Sequence, residues 1–179
     1  MSIAAAVGAL ASVALILWQG AQRADFEPRG ASSGPGSQLL VYEVPRAAAP
    51  RPAITEMQAD SALAFAYTNI GHKARLMVFA VDENRRVYWY HPAWRSAEDE
   101  PVAIEIERDD AVHEIPQAIS HAFSGRCLQV FGVFTDQALS VREMETSIAR
   151  APSDGRCGIK LAVDGADTRL FLLTLRSGP

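Results

Sequence analysis

The apolar positions of this chain fall into two regimes. From Ile3 to Trp18 it reads IAAAVGALASVALILW without a formal charge, and continuing to Ala21 brings the run close to the ~20 residues that cross a bilayer. Trp18 sits where an interfacial aromatic anchors a span. Three fates are open to the run: an uncleaved anchor, a cleaved secretory signal, or a buried helix of a soluble protein. A signal has an apolar region of about 7 to 15 residues after a basic start, which Met1-Ser2 does not supply, so the anchor is the expected one. Residues 25–37, DFEPRGASSGPGS, have no apolar period and the composition of a flexible tether. The expected organisation is a membrane anchor helix over 1–21, a linker over 22–37 and a β-rich globular domain over 38–179.

Beyond the linker the pattern changes to short β-branched and aromatic runs between turn signals: QLLVYEV at 38–44, ALAFAYT at 62–68, RLMVFAVD at 75–82, RVYWYHP at 86–92 and CLQVFGVFT at 127–135. The short polar segment 82–85 joins the third and fourth runs as an antiparallel hairpin. In its first arm Leu76, Val78 and Ala80 share one face and Met77, Phe79 and Val81 the other. Both faces are apolar, which places the strand centrally in a covered sheet and predicts an antiparallel β-sandwich or barrel-like domain. GIKLAV at 158–163 and TRLFLLTL at 168–175, with Asp164-Gly165 between them, predict a second hairpin. Ser140-Val141-Arg142-Glu143 is a capping box, and Val141, Met144 and Ile148 follow at helical spacing, so one short helix is expected over about 140–150, stopped by Pro152.

Composition and charge narrow the function. At 49% apolar and 21% charged the chain is globular, and a net charge of −4 with scattered basic residues argues against nucleic acid. The four histidines, at 72, 91, 113 and 121, lack the i, i+4 pairing of a helical zinc site, and His113-Glu114 begins like HExxH with Gln117 in place of the second His. No G-x-S-x-G elbow or phosphate-binding glycine loop occurs. The carboxylates at 98–100, 105, 107, 109, 110 and 114 read as solvated surface. No catalytic residue, metal or cofactor is therefore expected.

Two features carry possible function. Tyr88, Trp89, Tyr90, His91 and Trp94 place large rings at a strand end. Most of them are expected in the core, while Tyr88, Tyr90, His91 and Trp94 are the candidates for a binding surface toward peptide or glycan. Cys127 and Cys157 either form a disulfide, if the domain is exported, or remain buried thiols.

The ordered set ALAFAYTNIG, LMVFAVDENRRVYWYHP (with Asp82, Val87 and Pro92), EIPQAI at 114–119 and QVFGVFTDQALSVREME resembles an uncharacterised myxobacteria-type bacterial β-domain family. That domain often follows a membrane helix and a cytoplasmic anti-sigma-factor segment. The resemblance covers about three quarters of the chain and implies a β-sandwich-like fold in an extracytoplasmic position. It brings no catalytic or ligand residue. Ala138 stands where a Pro is common, and the cytoplasmic zinc-binding segment is missing. A natural start upstream of Met1 is a hypothesis that would explain both the missing segment and the missing basic flank before Ile3, and intact mass of the native protein tests it.

The expected function is thus a membrane-tethered extracytoplasmic interaction or sensing module, linked to an envelope regulatory system and binding a protein or peptide. The expected location is the bacterial inner membrane, as a single-pass protein held by residues 3–21 with a periplasmic domain. The alternatives are a structural subunit of an envelope assembly and an exported hydrolase built on His113, Glu114 and His121.

Overall fold

In the computed structural model the described residues are 36–53, 55–94, 98–155 and 157–176; the expected anchor and nearly all of the linker lie outside them. The elements, in chain order, are β1 (Gln38–Val44), β2 (Arg51–Pro52), β3 (Glu56–Gln58), β4 (Ala62–Thr68), β5 (Arg75–Asp82), β6 (Val87–His91), β7 (Ile104–Glu105), β8 (His113–Ile119), β9 (Cys127–Thr135), α1 (Val141–Arg150) and β10 (Asp167–Arg176).

The strands make two sheets, ordered β2-β1-β4-β8 and β3-β10-β9-β5-β6, with β7 also on β5. Every pairing is antiparallel except β3 with β10. The facing sides share one core, in which Leu39, Val41, Leu63 and Phe65 of the first sheet meet Leu76, Val78, Leu128, Val130 and Leu173 of the second. The protein is mainly β, with an arrangement consistent with a β-sandwich.

The doubly apolar pattern of β5 has a specific cause. Its inward residues Leu76, Val78 and Ala80 enter the intersheet core, while Met77, Phe79 and Val81 form a second core with Phe131, Val133 and Trp89. That outer core is roofed by α1 through Val141, Met144 and Ile148, with Ile159 beside them. The helix is therefore a third layer. Its capping box is present: the Ser140 hydroxyl accepts from the Glu143 amide at 3.2 Å, and the Glu143 carboxylate accepts from the Ser140 amide at 2.8 Å.

The first expected hairpin is β5–β6. The second does not form. GIKLAV makes a single bridge, Ile159 to Ser153, and otherwise runs irregularly across the face of the second sheet. β10 pairs with β9 over 167–174 and with β3 only at 174–176, and the GIKLAV run pairs with neither edge of it. Its period-two apolarity marks Ile159, Leu161 and Val163 as roof residues of the outer core. Asp164-Gly165 is nonetheless a turn, in which Gly165 takes a φ of +72°.

β8 lies at the edge of the first sheet with only Ile115 fully buried. Pro116 removes an amide donor, Gln117 has a φ of +79° and the register with β4 shifts, three devices that blunt an open edge against pairing with other chains. Ser37, the last residue of the expected linker, is buried: its hydroxyl donates to Asn69 at 3.0 Å and its carbonyl accepts from Arg169.

Candidate functional site

The aromatic run lies on β6, where the register shifts between Val78 and Phe79 so that Val78 pairs with His91 and Phe79 with Trp89. The extra residue is Tyr90, and the bulge turns Tyr90 and His91 toward the same side. Phe65 meets both rings edge-on, with centroids 4.9 Å and 6.1 Å away. His121 packs edge-on against Tyr90 at 4.9 Å and donates from Nε2 to the Trp89 carbonyl at 2.9 Å, covering the outer edge of β6. Tyr88, Tyr90 and His91 are all buried, and Tyr90 is completely so.

Burial sets the protonation here. It raises the Tyr90 phenol far above its ordinary value, with the neighbouring Tyr88 acting in the same direction. It lowers His91, whose Nε2 is buried without a hydrogen-bond partner. His121 is lowered too, first by burial and also by the charge of Arg86, against the opposing bond to Trp89. The bulged end of β6 is thus a neutral, ring-lined wall.

Below it the Asp82 carboxylate, fully buried, accepts four hydrogen bonds. One oxygen takes the amides of Asn84 and Arg86, both at 2.9 Å, and the other takes the Tyr88 hydroxyl at 2.9 Å and the Ser124 hydroxyl at 3.0 Å. Together these bonds fold the hairpin turn and pin the 120–126 segment over β6. In the sequence 82–85 is a short polar turn, and an Asp leading such a turn is a signal for side-chain bonding to amides two residues on. The carboxylate's second role needs Tyr88 and Ser124, which only the fold brings near.

Trp94 is separated from the other three candidates. It lies half-buried on the outer-core side, edge-on to Trp89 at 6.4 Å, and both indole N–H groups are buried without partners. Tyr88, Tyr90 and His91 therefore share one wall of the intersheet core, and Trp94 belongs to the other core.

Cys127 and Cys157 form a disulfide with 5.9 Å between Cα atoms, tying the start of β9 to the segment after α1. Two further groups organise it. Glu83, an exposed residue, accepts from the amides of Arg126 at 2.7 Å and Cys127 at 3.2 Å, bonds that hold its carboxyl below the usual range. Gln129, buried in β9, donates to Asp154 at 2.6 Å and accepts from the Ile159 amide at 2.7 Å, while Asp154 accepts from the amides of Cys157 and Gly158.

The histidine and carboxylate set of the hydrolase alternative is spread out. His113 opens β8, donates to Asp109 at 2.6 Å and stacks on Tyr67, whereas His121 lies beyond the other end of that strand. Glu114 between them is exposed. At the His113 end, Asn69 is a fully buried hub: its amide group donates to the Lys73 and Glu107 carbonyls at 2.7 and 2.6 Å, and its oxygen accepts from Ser37 and the Lys73 amide. It clamps loops 69–73 and 106–112 together, and those loops expose Ile70 and Val112.

Surface grooves among the described residues include one of about 270 Å³ beside Arg75 and Glu105 and one of about 410 Å³ beside Arg51 and Arg176. No helix among the described residues is long and apolar enough to cross a membrane. No family model, curated protein or solved structure matches this chain.

Proposed function

We propose that this protein is a membrane-tethered, extracytoplasmic interaction or sensing module whose β-sandwich presents end loops to a protein or peptide partner. The observation that carries the reading is the Cys127–Cys157 bridge, because disulfides form and persist in oxidising, extracytoplasmic compartments. The apolar run over 3–21 supplies the tether and the linker the reach. A role in an envelope regulatory system rests on the family resemblance.

The docking surface in this reading is the end built on Asn69. Ile70 and Val112 are about half exposed there (47% and 51%), on adjacent loops whose backbones Asn69 and the β4–β8 pairing fix. Apolar side chains on a pre-ordered frame bind with little ordering cost.

A reporter enzyme that is active only outside the cytoplasm, fused after Pro179, tests the location: activity is expected, and its absence from a stable fusion overturns the reading. In-cell crosslinking then compares the full chain with Ile70→Asp/Val112→Asp. Loss of the same envelope partner in the variant, with unchanged circular dichroism, is the expected result; equal capture removes this surface from the proposal.

A further inference from the structure

The geometry points to a divalent-metal site, best suited to zinc, that Glu83, Cys127 and Cys157 form when the disulfide is reduced. One carboxylate oxygen and the two sulfurs all lie within 4.8 Å of one another. They come from three places in the chain: the β5–β6 turn, the first residue of β9 and the segment after α1. No spacing motif announces them.

The distances suit a tetrahedral ion. Zinc binds thiolate sulfur at about 2.3 Å and carboxylate oxygen at about 2.1 Å, so the sulfur–oxygen edge of a tetrahedron is about 3.6 Å. Cys127 Sγ and Glu83 Oε2 are 3.6 Å apart. The sulfur–sulfur edge is about 3.8 Å on the same radii, which side-chain rotation reaches once the S–S bond is broken, given 5.9 Å between Cα atoms.

Hydrogen bonds other than the bridge also hold the residues around the site. Arg126 and Cys127 amides orient the Glu83 carboxylate, and Asp154 holds the Cys157 and Gly158 amides at 3.0 Å while bonded to buried Gln129. Oriented ligands and supporting hydrogen bonds of this kind are what a metal site requires. Glu83 is exposed and Cys127 half-exposed, which leaves a fourth position to water.

The chemistry balances. A phosphine or thiol reductant delivers two electrons to the Cys127–Cys157 bond, which takes up two protons and becomes two thiols. Zinc then displaces both thiol protons to solvent, forming two Zn–S bonds and one Zn–O bond. A disulfide donor accepting two electrons reverses the process and ejects the ion. The same residues thus hold zinc before the bridge closes and release it on oxidation.

The test uses the full chain, reduced with a phosphine, exchanged anaerobically and titrated with cobalt(II), then with zinc against a chromophoric chelator. The expected result is one equivalent of cobalt with sulfur-to-metal charge-transfer absorption in the reduced protein and none in the oxidised one. Glu83→Gln is expected to weaken binding by about tenfold or more, the scale on which loss of site-organising groups lowers affinity, and Cys127→Ser to abolish the charge-transfer band. Tryptophan fluorescence follows the fold throughout. No thiolate band in the reduced protein overturns the site. So does affinity that is unchanged in Glu83→Gln, which is also how two cysteines of an unfolded chain would bind.

Discussion

The Arg85 guanidinium donates to the Ile148 carbonyl at 2.7 Å and to the Ala151 carbonyl at 2.9 Å, so the tip of the β5–β6 hairpin caps the C-terminal end of α1. The last carbonyls of a helix lack partners within it and carry partial negative charge. Arg85 supplies both a donor and a cation, from a left-handed backbone conformation (φ 64°) that aims the side chain at the helix. Removing it should loosen the roof of the outer core. Arg85→Ala is expected to cost about 1 kcal/mol, with Arg85→Lys retaining part of the effect through its charge. Denaturant unfolding of the full chain measures both.

How much of this was visible beforehand depends on whether the signal was local. The capping box at Ser140 and Glu143 and the both-faces apolarity of β5 are local patterns, and each appears in the fold where expected. β8 was not recognisable as a strand, because only Ile115 is fully buried and Pro116 interrupts it. GIKLAV alternates like a strand because it lies on a core, and alternation reports burial without reporting a pairing partner. The polar groups that organise the candidate sites, Asp82 with Ser124, Asn69 with Glu107 and Glu83 with Cys127, join residues distant in sequence, so no spacing rule exposes them.

The disulfide closes a loop between positions separated by 30 residues. Cross-linking a chain over that span removes unfolded-state entropy worth about 3.6 kcal/mol in the chain-entropy model. Cys127→Ser/Cys157→Ser is therefore expected to lower the unfolding free energy from denaturant titration by an amount of that order, and reduction of the wild type should do the same in metal-free buffer. A variant as stable as the oxidised protein would show that the Gln129–Asp154 bonds alone hold the segment.

Acid should weaken the fold in two stages. The unfolded chain protonates His91 near its ordinary value of 6.5, whereas burial keeps the folded imidazole neutral to lower pH. Within that window the unfolded state binds more protons, so stability is complete above 6.5 and falls as pH drops through it. His121, lowered mainly by burial, adds in the same direction. Glu43 follows lower down: burial pushes its carboxyl up, but bonds from Arg51, the Gln58 amide and Ser61 outweigh this and hold it below its ordinary value of 4.5. Its contribution is present above 4.5 and disappears as pH falls through the folded value. Melting temperature against pH should drop first below 6.5, and His91→Phe should reduce that first drop.

Asn69 separates a contact role from a framing role at the loop end. Ile70 and Val112 would touch a partner, whereas Asn69 is buried and acts only by holding the Lys73 and Glu107 backbones. Asn69→Ala removes the donors to the part-buried Lys73 and Glu107 carbonyls and the acceptor of the Ser37 hydroxyl, at an expected cost of about 2 kcal/mol. It should also speed amide exchange in 69–73 and 106–112 beyond what the global loss explains, because those loops open without unfolding the sheets. Partner capture should then weaken through faster dissociation, since the loops must be reordered on binding. Ile70→Asp should instead weaken capture with exchange unchanged. If Asn69→Ala lowers global stability but leaves loop exchange in step with the rest, the hub supports the whole fold and the loops are not a separately ordered binding frame.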